Sequence, residues 1–507
     1  MAVFSTLLIA NRGEIAVRVI RACRELGIRS VAVYSDADRG SPHVALADVA
    51  VPIGAAAPRE SYLNVERIVA AARETGAEAI HPGYGFLAEN APFARAVAAA
   101  GLRFVGPSPE AMVAMGDKLG ARKTMAKLGI SIVPGSDPDA DPATLVEAGT
   151  RVGFPLLVKA AGGGGGRGMR RVDEPSQLAD ALEAASREAA AAFSDPRVYV
   201  ERVVERARHI EAQVLADRHG NVVHVFEREC SLQRRFQKVI EEAPAPNLAP
   251  SVRYELLDAA VRATRAVGYE GAGSVEFLVE GDDWYFLEMN TRLQVEHPVT
   301  ELVCGVDLVQ LQIRIAAGEP LPFQQEDLEV RGHAIEARVC AEDPARGFAP
   351  SPGRITSFVE PGGPGIRCDA GIASGTVVPP EYDALVAKVI AYAPDRAGAR
   401  QRLVCALREL VILGVTTNAE FRTTLLHDPD FAAGTADTQL ITRSYGAWSP
   451  RPPEPSLAAP EVIAAALAIA LQQDGRTYGS GAAAQGAQRA ATPWEALGAW
   501  RNGRAGR

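Results

Sequence analysis

The sequence predicts an α/β protein with an α+β continuation: a doubly wound parallel sheet at the N-terminus, a hairpin-rich centre, an α+β lobe, and a partly disordered tail. Three observations predict it. Short apolar runs alternate with helical periodicity over the first hundred residues, the signature of βαβ units. From about Val198 onward the strand-like runs follow one another through turns, as in hairpins. After Trp448 the composition shifts to Pro, then to Gly, Ala and Gln, with few bulky apolar residues.

At 507 residues the chain is long enough for about three domains, and with 47% hydrophobic residues it can bury large cores. Its formal net charge of -9, with acids and bases interspersed, argues against a nucleic-acid binder that works by neutralising phosphates. Six cysteines lie scattered without a CxxC pair, so they read as reduced core thiols of an intracellular, cytoplasmic protein. The opening MAVFSTLLIANRGE has no basic region before its apolar run and reads as a first strand, not a signal peptide. No apolar segment reaches the roughly 20 residues needed to cross a bilayer.

In chain order, Leu7 to Ala10 is read as a strand, Glu14 to Leu26 as a helix and Ser30 to Tyr34 as a second strand. Glu66 to Glu74 is helical, Ala79 to His81 a strand, and Phe93 to Ala100 helical before Phe104-Val105. The first turn, Asn11-Arg12-Gly13-Glu14, lacks the GxGxxG of a dinucleotide site. The loop from His81 to Asn90, with Tyr84 and Gly85, follows a strand end, where parallel sheets bind ligands.

Met112 to Leu128 is read as one helical stretch carrying Lys118, and Phe154 to Ala161 as an apolar strand containing Lys159. That strand leads into Gly162-Gly163-Gly164-Gly165-Gly166-Arg167-Gly168, a loop almost without side chains whose amides can close on an anion. It is not a Walker A loop, because the lysine precedes the glycines. Strands Val198 to Glu201, His209 to Leu215 and Val222 to Glu227 come next, with His209, Glu211 and Gln213 on one face. The run Cys230 to Lys238 gathers Gln233, Arg234, Arg235 and Lys238 within reach of an anion.

The stretch Gly273 to Pro298 organises the chain. Ser274 to Glu280 and Trp284 to Met289 read as strands joined by a three-residue loop, Gly281-Asp282-Asp283. Pairing Glu280 with Trp284 sets Glu276 opposite Glu288, two carboxylates that repel unless a divalent cation lies between them. Beyond, Asn290, Arg292, Gln294 and Glu296 alternate with apolar residues. An extended chain would put them all on one face with Glu288. Such a row of acids, an amide and a guanidinium suits a metal-phosphate site better than a solvated strand.

Residues from about Val330 to Gly446 mix strands such as His333 to Val339 with helices such as Arg396 to Leu410. Ser449 to Pro455 reads as a stiff linker, Pro460 to Gln473 as a helix, and Asp474 to Thr492 as disordered.

Taken together, Lys159 with the glycine loop, Glu201, Cys230 to Lys238 with Glu241-Glu242-Ala243-Pro244, and Glu288-Met289-Asn290-Thr291-Arg292-Leu293-Gln294-Val295-Glu296-His297-Pro298 resemble biotin carboxylase, an ATP-grasp enzyme. The likeness extends through Asn11 to Ala16, the His81 loop, His333 to Arg338 with Ala341 to Pro344, Tyr382-Asp383, and Gly414 to Asn418. It covers residues 1 to 446.

The resemblance implies an N-terminal domain over 1-113, an ATP-grasp domain over 114-329 with a lid at about 132-203, a C-terminal domain over 330-446, and the tail 447-507. It implies ATP with Mg2+ or Mn2+, the phosphates meeting Lys118, Lys159 and Gly164, Gly165 and Gly166, and the nucleotide further contacted near Glu201, His209, Gln233 and Leu278. Glu276, Glu288 and Asn290 would hold the metal, and Lys238, Arg292, Gln294 and Val295 bicarbonate. Glu296 would be the general base, Arg338 would stabilise the biotin enolate, and Tyr84 and Gly85 would bound the biotin pocket. Phe236 departs from the histidine or asparagine of many relatives.

No Met-Lys dipeptide occurs, so the biotin carboxyl carrier protein and the carboxyltransferase are expected on separate chains, with this chain a homodimer. The expected activity is the first half-reaction of an acyl-CoA (acetyl or propionyl) or pyruvate carboxylase. Two alternatives stand beside it: another ATP-grasp ligase resembling carbamoyl-phosphate synthetase, and a non-catalytic nucleotide-binding regulatory protein.

Overall fold

The computed structural model describes residues 3–139, 141–161, 169–193 and 195–450. The glycine loop, with Gly164, Gly165 and Gly166, and the tail helix expected at Pro460 to Gln473 lie outside the described residues.

Five strands, β1 (Thr6–Ile9), β2 (Arg29–Ser35), β3 (Val49–Gly54), β4 (Ala79–His81) and β5 (Arg103–Phe104), form a wholly parallel sheet in the order β3-β2-β1-β4-β5. Alternation decides its two faces. Leu7 and Ile9 join one core with Ile15 and Val19 of the helix Gly13–Glu25, while Leu8 and Ala10 join another with Ile68 and Phe93. The winding direction reverses between β1 and β4, where such sheets leave a crevice. Strand β3 and the short helix Pro42–Leu46 before it were not foreseen. β3 carries Pro52 and Gly54 and pairs at the sheet edge, so its pattern is weak.

The stretch read as one helix over 112–128 is two, Pro109–Gly116 and Lys118–Lys127. Asp117 leaves the helical conformation between them (φ -78°, ψ 95°) and its side chain accepts from the Leu119 amide. A small antiparallel sheet follows, β7-β6-β8, from β6 (Leu156–Ala160), β7 (Arg170–Val172) and β8 (Val198–Arg202), with its own core including Leu156, Leu182 and Val200.

The largest sheet has eight strands. It contains β9 (Arg208–Ala216), β10 (Val222–Arg234), β11 (Gln237–Ala243), β12 (Gly271–Glu280), β13 (Asp283–Asn290), β14 (His333–Cys340) and the strands Leu385–Ala393 and Ile366–Ala370. Their order is β13-β12-β9-β10-β11-β14, then Leu385–Ala393, then Ile366–Ala370. The pairing of β11 with β14, Glu241 opposite Glu336, stitches the expected 114-329 and 330-446 segments into one hydrogen-bonded layer. The described residues up to 450 accordingly form one compact unit.

The central hairpin differs from expectation in an instructive way. Its loop has two residues, Gly281-Asp282, with Glu280 opposite Asp283 and Gly281 at φ 63°. That register alone would set Glu276 against Leu287. A β-bulge between Glu276 and Phe277 restores the expected pair, Glu276 opposite Glu288. The strand also ends at Asn290, so Arg292, Gln294 and Glu296 do not continue an extended row. They sit on a turning segment that leads into the helix His297–Cys304.

Candidate active site

Three acids line up across neighbouring strands: Glu211 on β9 faces Glu276 on β12, which faces Glu288 on β13. Side-by-side carboxylates repel. The row persists because cations meet each member. Arg228 on β10, fully buried, is opposite Glu211 and bonded to it, and also donates to Gln213 at 2.8 Å and Thr300 at 2.9 Å. Lys118 reaches Glu288 at 3.0 Å.

Lys238 is the hub. Its ammonium donates to Glu211, and to Glu276 and Glu296 at 2.7 Å each. Burial favours the neutral amine, but the three carboxylates outweigh it and raise the Lys238 pKa well above the ordinary lysine value. Glu296 shows the converse balance. Burial favours its acid, yet Lys238, Arg338 and Arg228 hold its pKa well below the usual carboxylate range. Its side chain stands at the start of the helix His297–Cys304 without bonding the helix amides, which leaves one carboxylate oxygen for Lys238 and one for Arg338, at 2.8 Å. Arg338 also donates to Glu241 at 2.6 Å.

At the other end, Glu276 accepts from the Asn290 amide at 2.8 Å and lies 2.9 Å from His209, whose second ring nitrogen is 3.2 Å from Gln233. Burial favours the Glu276 acid, but Lys238 first, with His209 beside it, holds its pKa well below the usual carboxylate range. Arg292 donates to the Gln294 side chain at 2.9 Å and to Asn290 at 3.2 Å, and Gln294 donates to Ser274 at 2.9 Å. Asn290, Arg292 and Gln294 are therefore joined by side-chain bonds, and Asn290 and Glu296 through Glu276 and Lys238, where an extended backbone was expected to align them. Glu288 joins by its strand pairing with Glu276.

Other predicted residues lie further out. Lys159 pairs with Glu201 in the β6–β8 sheet, and Arg122 pairs with the same carboxylate. Leu278, half-buried, is opposite His209. Tyr84 and Gly85 sit at the switch point, where the Asn11 amide donates to the carbonyls of Pro82 and Tyr84 at 2.7 Å each. The same loop reaches the centre through Glu89, which accepts from Arg292 at 2.9 Å and from the Thr291 amide at 3.0 Å. Arg12, 2.7 Å from Asp38, lies over the Tyr382 ring at 4.5 Å and so joins two motifs far apart in sequence.

Phe236 occupies the two-residue turn between β10 and β11 with Arg235, at φ 66° and 49°. Such turns favour asparagine or glycine. Its ring is 65% exposed and takes no part in the ionic centre. Among the described residues no helix is long and apolar enough to cross a membrane.

Sequence reasoning missed Arg122, Arg228, Glu89 as an anchor for Arg292, and Lys388. Arg122 is one of several bases on its helix, Arg228 stands between Glu227 and Glu229, and Glu89 lies in a loop, and periodicity carries no signal about which distant partner each will meet. A fully charged residue inside the apolar strand LVAKVIAYA was the one available hint for Lys388.

Comparisons with known proteins cover most of the chain. The biotin carboxylase N-terminal domain family matches residues 3–112, the carbamoyl-phosphate synthase L chain ATP-binding domain family 117–324, and the biotin carboxylase C-terminal domain family 336–443. The chain is 51% identical over 447 residues to the biotin carboxylase of Allochromatium vinosum, covering 88% of this chain and 99% of that protein. It is 50% identical over 442 residues to the biotin carboxylase of Haemophilus influenzae, covering 87% and 98%. Among solved structures it resembles the Campylobacter jejuni biotin carboxylase–βγ-ATP complex, with TM-score 0.83, 44% identity, and coverage of 87% and 99%. It also resembles the biotin carboxylase domain dimer of Hydrogenobacter thermophilus 2-oxoglutarate carboxylase with MgADP, ADP and bicarbonate, with TM-score 0.84, 45% identity, and coverage of 89% and 100%.

Proposed function

The chain belongs to the biotin carboxylase family, and from that premise we propose how its residues divide the work. It is an ATP-dependent ligase that carboxylates biotin with bicarbonate. A carbamoyl-phosphate-synthetase-like activity is disfavoured. The match to that family is confined to the ATP-binding segment, and biotin carboxylase families flank it on both sides.

The observation that carries the assignment of roles is the shared carboxylate of Glu296, held at once by Lys238 and Arg338. Bicarbonate binds on Lys238, Arg292, Gln294 and the Val295 amide. Its arrival competes for the Lys238 ammonium. The Glu296 pKa then rises from its depressed value towards the range in which a carboxylate is an effective base. Glu296 takes the bicarbonate proton, the freed oxygen attacks the γ-phosphorus of ATP, and ADP leaves as carboxyphosphate forms. Carboxyphosphate breaks down to CO2 and phosphate, and the phosphate takes the ureido proton of biotin. Arg338, a permanent cation, stabilises the resulting enolate, whose N1 attacks CO2.

Glu276, Glu288 and the Asn290 carbonyl form a hard-oxygen set that fits Mg2+ or Mn2+. When bound there, the metal offsets phosphate charge. Lys118 and Lys159 orient the phosphates, His209, Gln233 and Leu278 the rest of the nucleotide, and Tyr84 and Gly85 bound the biotin side. The protein works as a homodimer in the cytoplasm, with carrier and carboxyltransferase on separate chains, in an acyl-CoA or pyruvate carboxylase.

The test is ATP cleavage with bicarbonate, with and without free biotin. Biotin is expected to stimulate Mg2+-dependent release of ADP and phosphate. An unchanged rate with biotin, together with stimulation by ammonia, would overturn the reading.

A further inference from the structure

The Val295 amide is useful to an anion only if its N–H points into the pocket, and a backbone loop cannot guarantee that by itself. A trans peptide sets its N–H opposite the carbonyl of the preceding residue. Whatever grips the Gln294 carbonyl therefore aims the Val295 N–H the other way. Behind the loop, the His297 ring nitrogen Nδ1 lies 2.8 Å from the Gln294 carbonyl oxygen, and the His297 backbone amide donates to the same oxygen at 3.3 Å. The next peptide is gripped too, since the Lys388 ammonium donates to the Val295 carbonyl at 2.8 Å.

Both side chains are wholly buried, at 0% exposure, where a histidine and a lysine are costly to place. Their surroundings fit the role. A carbonyl only accepts, so His297 must carry its proton on Nδ1, and its Nε2 has no hydrogen-bond partner. Burial, with Lys388, Arg18 and Arg367 nearby, keeps the ring neutral. Lys388 stands opposite Arg338 in the sheet, so it faces the same side as the catalytic cation, with Glu14 at 3.3 Å and Asp369 at 3.9 Å to offset its charge.

We propose that His297 and Lys388 are positioning residues of the anion pocket, which clamp the two peptides flanking Val295 from behind and so hold its amide towards bicarbonate. The inference rests on the reading that bicarbonate binds the Val295 amide. Neither side chain touches substrate.

The experiment measures half-saturation by bicarbonate and by ATP separately, in biotin-stimulated ATP cleavage by the full chain. His297→Leu and Lys388→Met are each expected to raise the bicarbonate KM by about tenfold, the equivalent of one lost hydrogen bond to an ordered group, and to leave the ATP KM within about twofold. A parallel rise in both, or no rise, overturns the inference. If either variant fails to fold, His297→Asn and His297→Gln decide. Asparagine places an amide N–H near the Nδ1 position and should keep the bicarbonate KM within about twofold, whereas glutamine should raise it. Equal values for the two overturn the clamp. Wild-type cleavage that ignores bicarbonate would instead overturn the underlying reading of the site, so the two failures are distinct.

Discussion

Lys238 and Lys118 both face carboxylates of the β12–β13 hairpin, in different surroundings. The Lys238 side chain is 11% exposed and meets three acids, while Lys118 is 48% exposed and meets Glu288, itself 36% exposed. In the interior the charges fix one another. Glu276 and Glu296 are held well below the usual carboxylate range because Lys238 is present, and Lys238 stays charged because the carboxylates outweigh its burial. At the rim water screens the Lys118–Glu288 pair, so it can separate at little cost. The interior cluster is thus preset by folding and the rim pair is left adjustable, which suits the bicarbonate and phosphate ends proposed for them.

The comparison breaks most visibly if the hub is removed. Lys238→Met leaves Glu211, Glu276 and Glu296 without their common cation. It is expected to cost about 3–5 kcal/mol of stability, read by denaturant unfolding, and to lower biotin-stimulated ATP cleavage by about 100-fold or more. A loss below about 1 kcal/mol would show that the interior charges do not depend on one another. Lys118→Ala is the opposite case: unfolding should change by about 1 kcal/mol or less, while the ATP KM rises by several-fold.

A third prediction concerns pH. Burial raises the Glu14 carboxyl to about 7, against Lys388, which lowers it. A folded-state pKa above the unfolded value means that the native state binds this proton more tightly. Its stabilising contribution is thus full below the unfolded value of about 4.5 and is lost as pH rises through about 7. Glu14→Gln should flatten the fall of the melting temperature across that window. An identical pH profile would refute the assignment. The smallest effect is expected at the exposed turn. Phe236→Asn relieves a left-handed position and should stabilise by about 1 kcal/mol or less with activity retained, measured by thermal melting.

How much of this was legible follows the distance over which each fact is decided. The alternating faces of β1, the parallel winding of the first hundred residues, and the face shared by His209, Glu211 and Gln213 are local consequences of backbone period. The expected facing of Glu276 and Glu288 holds, through a shorter loop and a compensating bulge that no periodicity announces. The helix break at Asp117 was hidden because the apolar pattern continues across it, and the extended row from 288 to 296 failed because a helix begins at His297 and the chain must turn to enter it.

By itself the sequence determined which side chains can share a strand face, which acids meet across a short hairpin, and, through its motifs, the family. Only the tertiary structure decided that Lys238, Glu296 and Arg338 form one centre, that Arg228 and Lys388 support it from within, and that β11 pairs with β14 to join the central and C-terminal segments. The reason is physical. A hairpin brings its residues together through a two-residue turn, with almost no loop to close. Lys238 and Glu296 are 58 residues apart and Arg338 a further 42 beyond Glu296. Contacts at that range are set by the order of strands in a sheet, which the apolar cores on either side select and no local pattern encodes.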